Sequence, residues 1–285
     1  MAVIGRFTDF AEFKTRQADA AGIFPLETIE EAAADRNDRR IGNAWTRKFY
    51  DGDFVLVAPP PGRPAVSLVF VESRDGNTGA ANPGDLGGGP TDLHFIYEGL
   101  SRVAADAVLA GRGSARGPKA FFSIWRTELV ELRRDLGLPR HPIQIVVSDR
   151  GDLGVDGTLL YNVPEVRVIV IAGGECRARC GVALAQRPWI SVIPFGGNWP
   201  DALARLHGDH GIGRVSAIGG RHTATSLIDA GVVQDLCLTK TAITAGEPGT
   251  PYYTGHQPPQ FELIARKRQP REPNPIEFEH LAFAQ

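Results

Sequence analysis

Cysteine is scarce, with three in 285 residues, which excludes a disulfide framework and agrees with a reducing compartment. Cys176 and Cys180 form a CxxxC pair, but no second Cys/His pair stands at zinc-finger spacing. The expectation is therefore two unpaired thiols beside a loop, and no metal. His207 and His210 in LHGDHG are interrupted by glycines and read as a solvent-facing turn. Long apolar runs are missing: nothing approaches the ~20 residues that cross a bilayer. The N-terminal MAVIGRFTDF has neither a basic n-region nor a long apolar h-region, so a cytoplasmic protein is expected. Neither sign of charge is in excess, since 31 Lys and Arg face 33 Asp and Glu. That balance supplies no field for nucleic acid or an anionic membrane, so the ligand is expected to be small. Also missing are the GxxxxGK[ST] of a P-loop, the GxSxG of a nucleophile elbow and HExxH, which removes the usual support for kinase and hydrolase readings.

What is present divides at a proline cluster. APPPGRPA (58–65) suits neither helix nor central strand. Residues 1–65 are accordingly expected to form an N-terminal appendage packed on a main domain of residues 66–285. Within the appendage, Thr28 and Glu31 have capping-box spacing ahead of EAAADR, which predicts a short helix. From residue 66 onward, SLVFVE, AVLAG, IQIVVS, VRVIVIAGG, WISVIPF, VSAIGG and DLCLTKTAI alternate with helical patterns. Such alternation predicts an α/β fold with a mostly parallel, twisted central sheet flanked by helices on both faces. Leu93, Ile96, Tyr97, Leu100, Val103 and Ala104 carry helical spacing through DLHFIYEGLSRVAADA, predicting one apolar stripe against the sheet. Trp125, Leu129, Leu132 and Leu136 predict a second helix, ended by Gly137 and Pro139. FELIARKR and IEFEHLAF read as late strands, the alternation of the latter suiting a sheet edge. GDLGGGP (84–90) reads as a flexible loop.

Three loops carry candidate chemistry. In AVLAGRGSARG (107–117), Gly111, Gly113 and Gly117 come directly after a strand, where bare amides can approach a phosphate. The spacing misses GxGxxG by one residue, and a plain tight turn accounts for the glycines equally well. In VSAIGGRHTATSLIDAG (215–231) a strand ends at Ile218, Gly219 and Gly220 come next, and a helix begins near Thr223. Strand, Gly-Gly, helix N-terminus is a phosphate cradle with Arg221 and His222 beside it, although glycine needed only for its dihedrals gives the same pattern. SRDGN (73–77) also closes a strand. All three loops are expected at the carboxyl edge of a parallel sheet, where such folds bind ligands.

Together these loops resemble the C-terminal reductase domain of the bifunctional riboflavin-biosynthesis deaminase-reductase, over about residues 66–255. SRDG (Ser73–Gly76) stands at the family's SxDG, and Arg102, ADAVLAG and Gly113-Ser114 stand at its "R…DAvlvG" and Gly-Thr pair. IGGRHT (218–223) stands at its EGGPTL, and SLIDAGVVQDLCLTKTAITAG (226–246) echoes the family's "ll.aglvDEl.l...P...G". Ile218 occupies the place of the family's glutamate, ARGPKAFFS (115–123) replaces an acidic-proline segment, and the HxE and PCxxC of the zinc deaminase half are missing.

The resemblance implies a dihydrofolate reductase-like fold, often in a homodimer. It also implies bound NADPH and hydride transfer to a small pteridine- or pyrimidine-like heterocycle or a related C=N or C=O compound. Carried over by position, Gly113, Ser114 and Gly220 to Thr223 contact the cofactor, with Gly111 and Gly219 in the same turns. Asn77, Arg102 and position 218 lie toward the substrate, and Asp75 orients it or relays a proton; without the resemblance, an Asp75 that bonds its own turn and a solvated helix arginine at 102 account for the same residues equally well. Ser148 and Arg150, after IVVSD, are placed for the 2′-phosphate if the adenine end lies over that strand. A divergent reductase of secondary metabolism or detoxification, and a nucleotide-binding protein without turnover, are the alternatives.

Overall fold

The computed structural model of the chain describes residues 7–32, 38–151, 153–270 and 275–284. Its elements run α1 (Phe7–Ala20), β1 (Glu27–Glu31), β2 (Arg39–Ile41), β3 (Phe54–Leu56), β4 (Ala65–Glu72), α2 (Gly89–Thr91), β5 (Ala107–Gly111), α3 (Thr127–Asp135), β6 (Ile143–Ser148) and β7 (Val168–Ala172). They continue with α4 (Gly174–Ala185), β8 (Ile190–Pro194), α5 (Trp199–His210), β9 (Arg214–Ala217), α6 (Arg221–Asp229), β10 (Asp235–Lys240), β11 (Phe261–Gln269) and β12 (Ile276–Phe283). A ten-stranded sheet has the order β1-β11-β12-β10-β4-β9-β5-β6-β7-β8, and β2 pairs β3 in a separate ribbon. From β10 to β8 all neighbours are parallel, while β12, β11 and β1 add on antiparallel.

Near-continuous apolar runs make these central strands, because helices cover both faces and every residue has a dry side to fill. On one face α5 and α6 pack Leu203, Leu206 and Leu227 against Leu68, Leu109 and Ile171. On the other, α3, α4 and the wide, π-helical turns Asp92–Leu100 that continue α2 lay Phe95, Ile96, Leu129 and Leu184 on Val108, Val146 and Val170. Each such side chain, fully buried, contributes about 1.5–3 kcal/mol before ordering costs.

Several local expectations give way to tertiary context. Thr28 and Glu31 form strand β1, not a helix, because β11 offers its free edge and Lys267 Nζ donates to Thr28 Oγ1 at 2.7 Å; residues 33–37 of the expected helix lie outside the described residues. Among the described residues before β4 there are thus three strands, one of them at the edge of the main sheet. β12 is interior, with β10 and β11 on its two sides; Glu279 is buried and pairs Lys240 and Arg266, and the part-exposed Glu277 pairs Arg268.

The helix expected over DLHFIYEGLSRVAADA stops at Leu100, and its wide turns leave Leu93 exposed while burying His94 and Glu98. Trp125 precedes α3, its amide donating to Glu98 Oε2 at 3.1 Å. Residues 83–86 form a 3-10 turn capped by Asn82, where a flexible loop was expected. Cys176 and Cys180 lie buried on α4, and His207 and His210 end α5, which Gly211 closes.

Candidate active site

β5 and β9 lie side by side, Leu109 opposite Ala217, and the Ile218 amide extends the ladder to Leu109 O at 2.9 Å. Both strands therefore release their glycine turns at one height on the carboxyl rim. A Cβ on Gly111 would stand 2.9 Å from Thr223 Oγ1, one on Gly220 3.5 Å from the same hydroxyl, and one on Gly219 4.0 Å from Ser114 Oγ. These residues form a single patch, with Thr223 packed too closely on Gly111 for a side chain there and the other two contacts of ordinary length. Gly219 and Gly220 have φ of +103° and +83°, values that L side chains rarely adopt. Gly220 leaves α6 without a side-chain cap, so the first-turn amides of Arg221, His222 and Thr223 remain free to meet an anion. Gly113, Ser114 and His222 are exposed beside them.

One strand further along the rim, Arg150 is exposed after β6. Ser148 is buried, and its hydroxyl accepts from Gly151 N at 3.2 Å. Of this pair, only Arg150 presents a group outward.

At the end of β4 the 73–77 loop is locked by its own side chains. Ser73 Oγ donates to Asp75 Oδ1 at 2.7 Å and Asn77 Nδ2 to Asp75 Oδ2 at 2.6 Å. The Ser73 hydrogen bond is the main cause holding the Asp75 carboxyl below the usual carboxylate range. Asp75 therefore stays ionised and is suited to orient its loop, not to give up a proton. Asn77 is buried and accepts from Thr250 N at 3.2 Å, tying the loop to the segment after β10.

A second carboxyl near this loop was not singled out from sequence. Asp92, 8% exposed, accepts a hydrogen bond from Thr239 Oγ1, and burial pushes its pKa up to about 7. Thr239 stands opposite Val71, two residues before Ser73, so Asp92 sits under the same rim. Two strand spacings, about 10 Å, separate β10 from β9. The signal available in sequence was only an acid at a helix start, which ordinarily faces water.

Arg102 and Ile218 lie on the face of Asp92. Arg102 is 1% exposed; its Nη1 donates to Ser123 O at 2.8 Å, and its guanidinium lies 4.0 Å from the centre of the Tyr97 ring. It lines a cavity of about 300 Å³ between Leu93 and Tyr97 on one side and the segment Lys119–Trp125 on the other. That segment continues from the Gly111–Ser114 turn, and Leu93 adjoins Asp92. Ile218 is packed among apolar side chains of the same face. It offers no polar contact where the related family has a carboxylate. The structure thus brings together Gly111, Ser114, Gly219, Gly220 and Thr223, and separately seats Asp75 with Asn77.

The model of the RibD C-terminal domain family matches residues 64–271. Among curated proteins no sequence matches the chain. Among solved structures, a pyrimidine reductase-like protein from Corynebacterium diphtheriae is similar at 18% identity and a TM-score of 0.55, covering 78% of this chain and 92% of its own. RibD from Acinetobacter baumannii is similar at 16% identity and a TM-score of 0.55, with 79% of this chain and 59% of that one covered. The riboflavin biosynthesis reductase Rib7 of Saccharomyces cerevisiae is similar at 16% identity and a TM-score of 0.51, with coverages of 78% and 92%. At these identities the likeness establishes the fold, a dihydrofolate reductase-like α/β architecture with a large central sheet. With most of its length matched and its glycine turns gathered on one rim, the chain belongs to the RibD C-terminal domain family.

Proposed function

We propose that the protein is an NADPH-dependent oxidoreductase that reduces a C=N or C=O bond in a small planar compound. The observation that carries this reading is the convergence of Gly111, Gly219, Gly220 and Thr223 around an uncapped helix N-terminus. Bare glycine backbone beside a helix start fits a pyrophosphate, and the positive end of α6 favours its charge. Ser114 and Thr223 add hydroxyl donors, and Arg150 is the candidate cation for a 2′-phosphate.

When bound, the reduced nicotinamide supplies a hydride to the substrate carbon. The chain supplies the rest. Adding a hydride to C=N or C=O leaves nitrogen or oxygen needing a proton, and Asp92 holds one on its carboxyl below pH 7. Asp75 keeps the 73–77 loop in one conformation through Ser73 and Asn77, and Arg102 braces the cavity wall by donating to Ser123 O. The apolar Ile218, in place of the related family's glutamate, favours a substrate other than the riboflavin-pathway pyrimidine, and hence a divergent reductase.

Titration with NADPH followed by reduced-nicotinamide fluorescence tests the reading. Saturable binding is expected, with a dissociation constant in the micromolar range, about −8 kcal/mol, and with NADH binding more weakly. Arg150→Ala is expected to narrow that preference by about ten-fold, the size of one exposed charge-assisted contact. No binding of either coenzyme would remove the proposal. Binding without oxidation by any C=N or C=O compound would favour a nucleotide-binding protein without turnover.

A further inference from the structure

β10 and β12 pair antiparallel, with Cys237 directly opposite His280. Side chains alternate along a strand, so Asp235 shares the face of Cys237 and reaches across to the same histidine. Asp235 Oδ2 lies 2.9 Å from His280 Nε2 and 4.0 Å from Cys237 Sγ, and the three ligand atoms fall within 4.8 Å of one another. A point equidistant from atoms so spaced lies about 2.0–2.4 Å from each, the range of zinc bonds to oxygen, nitrogen and sulfur. Asp235 is 4% exposed, Cys237 0% and His280 3%. Among the described residues, no other group of three His, Cys, Asp or Glu side chains comes close enough to share an ion.

The surroundings hold these groups in place. Ser67 Oγ donates to Asp235 Oδ1 at 2.7 Å, the kind of outer hydrogen bond that fixes a ligating carboxylate and leaves its other oxygen for the ion. All three residues sit inside strands, and the ladders to β4 and β12 on either side of β10 set their positions. Burial, and then the charges of Asp235 and Asp92, push the Cys237 thiol up, so without a cation the sulfur keeps its proton. Bound as thiolate, neutral imidazole and carboxylate, the three groups carry two negative charges, and one Zn²⁺ cancels both. A buried site without net charge avoids the cost of an unpaired ion. Asp92 stands further along this face, held by Thr239, and its own burial raises its pKa.

We infer that Asp235, Cys237 and His280 bind one zinc ion, which fastens β12, and with it β11 and β1, to the parallel part of the sheet. One sulfur, one nitrogen and one oxygen suit zinc, whereas calcium and magnesium take oxygen alone. Three protein ligands leave the fourth tetrahedral position to water. At this depth no substrate reaches the ion, so its role is structural, and it enters as β12 closes over β10 during folding. The site is independent of the reductase reading. No spacing in the sequence announces it, because His280 lies 43 residues beyond Cys237.

Metal analysis of the full chain tests the inference, on protein expressed with zinc supplied and passed through gel filtration in EDTA. About one zinc per chain is expected in the wild type, and less than about a tenth of that in Cys237→Ala. Expression with cobalt in place of zinc is expected to give the sulfur-to-cobalt charge-transfer band of a tetrahedral thiolate site. Cys237→Ala removes that band, and Cys176→Ala combined with Cys180→Ala retains it. Cys237→Ser keeps the side-chain volume and carries the test should the alanine variant fail to fold; it is expected to lose the band likewise. Folded wild type that takes up neither metal would overturn the inference, as would zinc or a cobalt band retained without Cys237. Zinc that gel filtration in EDTA strips from the wild type shows an adventitious ion only, and overturns it too.

Discussion

Gly219→Val is expected to weaken NADPH binding by about 100-fold, or about 2.7 kcal/mol, while the protein remains folded. Two effects act together. At φ +103° a β-branched residue is strained by about 1–3 kcal/mol, so the turn either shifts or stores that strain. The Cβ also points into the gap between the two turns, 4.0 Å from Ser114 Oγ, and its methyls would occupy the volume assigned to phosphate. Isothermal titration with NADPH measures the loss, and the melting temperature shows whether the fold survives. As a control, Gly231→Ala has the same class of dihedral, φ +63°, but lies at the far end of α6. It is expected to lower stability by about 1 kcal/mol and leave affinity unchanged. Equal losses of affinity in both variants would mean that strain alone, and not the cradle, explains the effect.

Asp92→Asn is expected to lower kcat by about 10²- to 10⁴-fold, the range of a positioned general acid, with NADPH affinity unaltered. The pH dependence gives the sharper signature. With a pKa of about 7, the wild-type carboxyl is protonated below neutrality and loses its proton above it. Activity therefore falls as pH rises through 7, and the variant lacks that limb. Stability runs the opposite way. The folded pKa is raised above the ordinary 3.8, so below the unfolded value the group costs nothing. As pH climbs from about 4 to 7 the unfolded chain ionises while the folded one does not, and stability is lost, up to about 4 kcal/mol. Asparagine cannot ionise, so Asp92→Asn is expected to be more stable than wild type at pH 8 and nearly equal at pH 4. Denaturant melts at both values check the sign. A variant that is less stable at pH 8 and keeps full kcat would show Asp92 to be a structural acid.

The parts legible in sequence were those fixed by local pattern. β5, β6 and β7 were readable because strands buried on both faces are apolar throughout. The Gly219-Gly220 turn was readable because a strand running into two glycines and a helix has few structural meanings. What escaped depended on partners far along the chain. Thr28 spaced from Glu31 as in a capping box became a strand because its partner lies at residues 261–269. Asp92 looked like a polar helix start until Thr239, 147 residues later, closed over it. Arg102 read by itself is a helix arginine; only α1 and the 119–125 segment make it a buried fork. From the N-terminal segment, β1 lies at the edge of the main sheet beside β11. Side chains from its α1 also form part of the cavity wall.

The most direct measurement is hydrogen exchange of the backbone amides with and without NADPH. If the two turns hold one dinucleotide, the amides of Gly113, Ser114 and Gly220 to Thr223 slow together as NADPH saturates, and Gly219→Val abolishes the slowing at both turns. Protection confined to one turn, or found elsewhere on the sheet, would contradict the shared cradle.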